Sequence, residues 1–275
     1  MNITQILSQE LSATAAQITA AVELLDDGAT VPFIARYRKE ATGGLDDTQL
    51  RQLAERLQYL RELEERKAVV LKSIEEQGKL SDDLRAQIEA ADNKTALEDL
   101  YLPYKPKRRT KAQIAREHGL QPLADVLLAE QPQDVEAAAQ GYLNENVPDT
   151  KAALDGARAI LMEQFAEDAE LIGTLRDKLW NEAEIHAQVV EGKETEGEKF
   201  SDYFDHREPV RAMPSHRALA VLRGRNEGVL NIALKYQPDD TPITQQSEYE
   251  QIIARRFKVS DGHKWLRDTV RLTWR

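Results

Sequence analysis

The residue types best suited to chemistry gather in one stretch, Lys105-Pro106-Lys107-Arg108-Arg109-Thr110-Lys111, where five of seven positions are basic. The whole chain carries a net charge of −11, so its bulk field repels a polyanion. Contact with nucleic acid therefore needs a local cationic cluster of this kind. Neutralising several phosphates releases condensed counterions, and that release drives sequence-independent binding. Pro103 and Pro106 keep the stretch extended and its cations exposed. Tyr101 and Tyr104 lie next to it and offer rings for base stacking. The candidate phosphate contacts are Lys105, Lys107, Arg108, Arg109 and Lys111. The competing reading is a solvated loop, or one that pairs with the protein's own acidic surface.

Other chemistries find little support. The five histidines, His118, His186, His206, His216 and His263, lack the three- or four-residue spacing of helical metal ligands. No Gly-rich phosphate loop is present, and Gly224-Arg-Asn-Glu-Gly228 reads as a turn. The pairs Asp46-Asp47, Asp82-Asp83 and Asp239-Asp240 are better explained by helix starts and loops than by acid–base work. With no cysteine, disulfides, thiolate zinc sites and a cysteine nucleophile are excluded. A second cationic group, Arg207, Arg211, His216, Arg217, Arg223 and Arg225, is interleaved with Asp205, Glu208 and Glu227, which favours internal ion pairing. No catalytic residue, metal or cofactor is expected.

The elements that hold these residues read as helices. Leu50, Leu53, Leu57 and Leu60, continued by Leu63, Val70, Leu71 and Ile74, predict one long helix from Leu45 to about Gln77. About 32 residues at a rise of 1.5 Å span on the order of 48 Å, the length of a strut. Before it, Ser12 or Thr14 caps a helix that stops at Gly28. Val31 to Glu40, mixed apolar and basic, is a short helical or irregular segment closed by Gly43-Gly44. After it, Ser81 caps a helix, another runs from Lys94 to Tyr101, and Thr110 caps Lys111 to His118. Further helices follow over Pro122–Glu130, Val135–Leu143, Thr150–Ala166, Glu167–Glu184 and Ser215–Arg223. Ala115 and Gly119, four apart, have the spacing at which a helix-turn-helix lets two helices cross. The second helix of that pair carries almost no basic residue, so the shape is expected without major-groove readout.

Near Glu191 the character changes. Gly192 to Lys199 is a polar loop, and Phe200, Tyr203 and Phe204 form an aromatic anchor that docks it back onto a core. Val229 to Tyr236 is the best strand candidate, with a helix as the alternative. Trp265 to Trp274 is an amphipathic helix. It reaches Arg275 with no stop signal, which reads as an internal cut in a longer chain.

Apolar residues make up 41 %, charged residues 31 % and aromatics 6 %, too apolar for disorder and too poor in aromatics for a β-sandwich. The fold class expected is mostly α: an elongated multi-helix array with a strut helix, a helix-turn-helix unit and little or no β. No secretory signal or apolar run long enough to span a bilayer is visible.

Three stretches together resemble one family. They are Val31-Pro-Phe-Ile-Ala-Arg-Tyr-Arg-Lys-Glu-Ala-Thr-Gly-Gly-Leu-Asp46, Leu97 to Lys111 with its Ala115-Arg-Glu-His-Gly-Leu120 continuation, and His216 to Gly228. A fourth, Lys199-Phe-Ser-Asp-Tyr-Phe204, is similar too. They resemble the amino-terminal region of the Tex family of bacterial transcription accessory proteins, whose architecture is similar to the core of a eukaryotic elongation factor. The resemblance implies a cytoplasmic nucleic-acid-binding protein, RNA or single strands favoured, with other domains of the same protein and the transcription machinery as further partners. It implies a helical region over 1–190 with a helix-turn-helix unit about 80–130, a polar linker over 191–214, and the start of a further helical segment over 215–275. Resolvase-like, helix-hairpin-helix and S1 modules would follow. The S1 module is the family's main nucleic-acid contact, so binding without it is expected to be weak. Two functions stay open: a scaffold region with auxiliary phosphate contacts, and an interaction module without them.

Overall fold

The three-four spacing of leucines becomes, in the computed structural model, a single helix of 30 residues, Asp47–Glu76. The structure describes residues 2–106, 109–237 and 245–275. The chain divides into two units, Met1–Lys105 and Pro106–Arg275. The first is helical: α1 (Ile3–Glu10), α2 (Ala15–Asp26), α3 (Val31–Tyr37), α4 (Asp47–Glu76), α5 (Asp82–Ala90) and α6 (Lys94–Tyr101). The starts are set locally. Thr14, Thr30, Asp46, Ser81 and Asn93 each accept a backbone N–H of the first turn, and Thr14 and Asp46 complete capping boxes with Gln17 and Gln49.

α4 serves two cores in succession. Leu50, Leu53, Leu57 and Leu60 pack with Leu7, Ile18, Ala21, Ile34 and Leu45. Leu63, Val70 and Ile74 then pack with Ile88, Ala91, Leu97 and Tyr101. Burying each large aliphatic side chain contributes about 1.5–3 kcal/mol, which offsets the cost of ordering so long a helix. One position of the stripe is not apolar. Lys67 is only 4 % exposed. Its Nζ donates to the Glu89 carbonyl at 2.8 Å, in the last turn of α5, and pairs with Glu64 at 3.1 Å. A cation there meets the negative end of the α5 dipole.

The second unit contains α7 (Lys111–Glu117), α8 (Gln121–Ala129), α9 (Val135–Gln140), α10 (Thr150–Ala166), α11 (Ala169–Glu182), α12 (Ser215–Asn226), α13 (Glu248–Arg256) and α14 (Lys264–Trp274). Its main core gathers Leu123, Leu127, Ile160, Leu161, Phe165, Ile253, Leu266 and Val270, with α10 at the centre. Ala115 of α7 meets α10 at Gly156, where an added Cβ would overlap Leu120 Cδ1 and stand 3.2 Å from Ala115 Cβ. The small residue noted in the sequence thus admits α10. Gly119, at φ +81°, makes the turn between α7 and α8.

Among the described residues, β structure is one antiparallel sheet of β1 (Glu184–Val189), β2 (Asp205–Pro209) and β3 (Leu230–Lys235), ordered β2-β1-β3. His186 faces Arg207 on one side and Ala233 on the other. β3 is the expected strand. β1 begins where the predicted helix over 167–184 was to end, because Ala183 turns extended. Within 191–214, the expected polar linker, lie a 3-10 turn at Glu198–Tyr203 and β2. Phe200 is buried with Val229 and Leu230, flanked by Tyr203 and Phe204, as the aromatic anchor required.

The close approach of α7 to α10 has a measurable consequence. Gly156→Val is expected to cost about 1–3 kcal/mol by overpacking. Gly173→Ala in α11, with nothing within 4 Å of the new methyl, is expected to stabilise by up to about 1 kcal/mol. Urea unfolding of both variants checks the pair; equal effects would contradict the packing.

Candidate nucleic-acid interface

The basic stretch begins in the first unit and continues in the second. In the first, α6 runs into a 3-10 turn, Leu102–Tyr104, that folds the chain back along its own helix. Lys105 Nζ donates to Glu98 at 2.8 Å and lies 5.8 Å from the Tyr101 ring centre. Glu98 also accepts from Arg66 Nε of α4 at 2.6 Å. The Arg66 hydrogen bond, opposed by partial burial and aided by Lys105, holds the Glu98 carboxyl below its ordinary range.

Tyr101 is not a stacking ring. It is 7 % exposed, its hydroxyl meets Ser73 Oγ at 3.0 Å, and the Arg66 guanidinium lies 5.4 Å from its centre. Tyr104 is half-buried against the same core, and its carbonyl accepts from Gln77. The expectation of two rings free for bases therefore fails at Tyr101, because the apolar stripe of α6 needs that side chain inward.

In the second unit, Arg109 pairs with Glu117 near the end of α7 while its side chain stays 62 % exposed. Thr110 caps α7 by accepting from Gln113 N, and its hydroxyl donates to Glu163 at 2.9 Å. Arg116 pairs with the same Glu163 at 2.5 Å. Lys111 is exposed at the first turn and forms no ion pair among the described residues. Lys107 and Arg108 lie outside the described residues. Of the five candidates, then, Lys105 and Arg109 are shared with carboxylates and Lys111 is not. Lys105 and Glu98 lie seven positions apart, and the 3-10 turn between them brings the two side chains together.

Of the second cationic group, Arg217 and Arg211 hold polar partners, while His216, Arg223 and Arg225 are exposed and form no ion pair among the described residues. Arg217 pairs with Glu208 at 2.6 Å, His206 meets the same carboxylate at 3.2 Å, and Lys199 takes Glu227 at 2.6 Å. Arg211 donates to Asn181. Among the described residues no three His, Asp or Glu side chains gather as a metal site. No described helix is long and apolar enough to cross a membrane.

Fold and surface together define an α-helical scaffold that carries its distinctive charge on short surface segments. Residues 1–75 match the Tex-like protein N-terminal domain, and residues 130–275 match the Tex central region. The chain belongs to the Tex family. It is 96 % identical, over its full length, to the transcriptional accessory protein Tex of Neisseria gonorrhoeae, covering 36 % of that protein. It is 52 % identical over 98 % of its length to the Tex protein of Bordetella pertussis, covering 35 % of it. A more distant relative, the human S1 RNA-binding domain-containing protein 1, is 28 % identical over 84 % of the chain and is covered over 24 %. The chain thus spans about a third of the length of its bacterial relatives.

The shared carboxylate generates a pH signature. A carboxyl held below its ordinary value in the fold contributes stability above that ordinary value and loses it as the pH falls through the lowered one. Glu98→Gln is expected to cost about 0.5–1 kcal/mol at neutral pH, the modest worth of a partly exposed pair. The gap to the parent should close under acid. Urea midpoints across a pH series check this; a gap that persists at low pH contradicts the pairing.

Proposed function

We propose that this chain is the amino-terminal scaffold region of a nucleic-acid-binding transcription accessory protein, with auxiliary phosphate contacts at Lys105, Lys107, Arg108, Arg109 and Lys111. The observation that carries the reading is the concentration of five cations within seven positions of a chain with a net charge of −11. The described members, Lys105, Arg109 and Lys111, are all solvent-exposed. The pairs made by Lys105 and Arg109 lie at the surface, where an ion pair is worth about 0–1 kcal/mol, so phosphate oxygens can replace the carboxylates. The names of the relatives support a role in transcription and, in the human case, RNA binding. We place the protein in the cytoplasm and assign it no cofactor and no catalysis. The α7–α8 pair is read as a helix-turn-helix shape used for packing, since α8 offers no Lys or Arg to a groove.

A second reading, a docking module for other domains or the transcription machinery, is favoured by one feature of the second unit. Ile172, Leu175, Leu179 and Trp180 of α11 line a shallow apolar groove with Val210 and Leu234, and Trp180 and Leu234 are exposed there. Patches of this kind mark interaction surfaces.

The readings separate by charge reversal. Lys107→Glu with Arg108→Glu and Arg109→Glu is expected to weaken binding of single-stranded RNA at low salt. The slope of log K against log salt should fall by about 0.7 per lost phosphate contact. Fluorescence anisotropy across a salt series measures both. Unchanged affinity and slope would remove the loop from the interface. Loss of a transcription partner on Trp180→Glu, with RNA binding intact, would favour the docking reading.

A further inference from the structure

α3 carries a feature that the basic loop lacks: exposed aromatic rings set among cations that no carboxylate neutralises. Ile34 is fully buried among Leu45, Leu50 and Leu53 and pins the helix to the first core. Phe33 and Tyr37, one turn apart, stay outside at 41 % and 61 % exposure. Their ring centres are 5.4 Å apart and tilted by 48°. The Arg38 guanidinium lies 5.5 Å from the Phe33 ring centre, and that of Arg36 lies 6.0 Å from Tyr37. Arg36, Arg38 and Lys39 form no ion pair among the described residues. Arg56, Arg61 and Arg66 of the same unit all hold carboxylates, whereas these three cations within four positions hold none.

The segment is also held in place. Thr30 caps α3. Thr42, fully buried, donates its hydroxyl toward the Lys39 and Arg38 carbonyls at 3.2 and 3.4 Å. Gly43 and Gly44, at φ +61° and +91°, turn the chain back, and Gln17 Nε2 donates to the Gly43 carbonyl at 2.9 Å. The rings and cations are therefore presented on a fixed backbone, so little ordering remains to oppose a ligand.

Aromatic faces accept any base, and neighbouring cations follow the phosphates. That combination recognises single-stranded nucleic acid without sequence preference. We propose that Phe33 and Tyr37 form a stacking platform for bases of a single-stranded RNA or DNA, with Arg36, Arg38 and Lys39 on its phosphates. A tilted ring pair suits a flexible single strand, whose bases turn independently, better than the parallel stack of a duplex. The proposal extends the nucleic-acid reading above to a site independent of the Lys105–Lys111 loop.

The test uses the full chain with oligouridine and oligothymidine of about ten nucleotides, within the usual range of such sites. Anisotropy gives affinity, and 5-iodouracil photo-crosslinking with mass spectrometry gives position. Cross-links are expected at Phe33 or Tyr37. Phe33→Ala with Tyr37→Ala should weaken binding at least about tenfold, while Phe33→Tyr with Tyr37→Phe should restore it. Both residues are exposed, so the thermal midpoint should stay unchanged. Arg36→Glu, Arg38→Glu and Lys39→Glu together should flatten the salt slope. Charge reversal at Lys107, Arg108 and Arg109 serves as the parallel arm. If that variant loses binding while the double alanine variant binds as the parent, the platform is overturned and the loop reading stands. If the double alanine variant loses binding and the loop variant does not, the platform stands and the loop reading falls. Cross-links found only elsewhere, or no binding to either oligonucleotide at low salt, overturn the platform.

Discussion

An acidic chain neutralises most of its own cations, and this constraint organises its surface. Arg56 holds Glu10, Arg61 holds Asp26, Arg66 holds Glu98, Arg116 holds Glu163, and Arg256 spans Asp168 and Glu170. Each such pair is individually weak. Together they mean that a positive patch appears only where the fold withholds a carboxylate. The three cations of Arg36 to Lys39 and the exposed Lys111 are such places. Lys105 and Arg109 are intermediate, paired yet open to water.

The elements that carry the cations of the first unit are fixed by one helix. α4 binds α1, α2 and α3 along its first half and α5 and α6 along its second, so both α3 and the approach to Lys105 are fixed by one helix of 30 residues. Lys67, the single cation in its buried stripe, ties α4 to the end of α5. In α3 only Ile34 is fully buried, with Val31 and Ala35 partly packed beside it, so Pro32, Phe33, Arg36 and Tyr37 face solvent. Cationic and aromatic side chains then cluster outside, and among the described residues no carboxylate pairs with Arg36, Arg38 or Lys39.

Much of this fold was legible because it is local. Helix caps at Thr14, Ser81 and Thr110, the extent Thr150–Ala166 and the leucine stripe of α4 all follow from short-range rules. The sheet was less legible. Glu184-Ile-His-Ala-Gln-Val is as compatible with a helix as with a strand until two partners pair with it, and Asp205-His-Arg-Glu-Pro has no β-branched residue. The site was legible in composition and not in geometry. A run of cations is visible in the sequence, whereas the return of Lys105 to Glu98, the inward turn of Tyr101 and the outward turn of Phe33 and Tyr37 are tertiary facts. The spacing of Phe33 and Tyr37 around Ile34 was the available clue to α3.

The central claim is that unpaired cations on a helical scaffold meet the phosphates of a nucleic acid. The most direct measurement compares a single-stranded oligonucleotide with a copy of the same sequence whose backbone is uncharged methylphosphonate. The account predicts that the natural strand binds more tightly at low salt and that the difference shrinks as salt rises. Equal affinity for the two backbones at every salt concentration would contradict it.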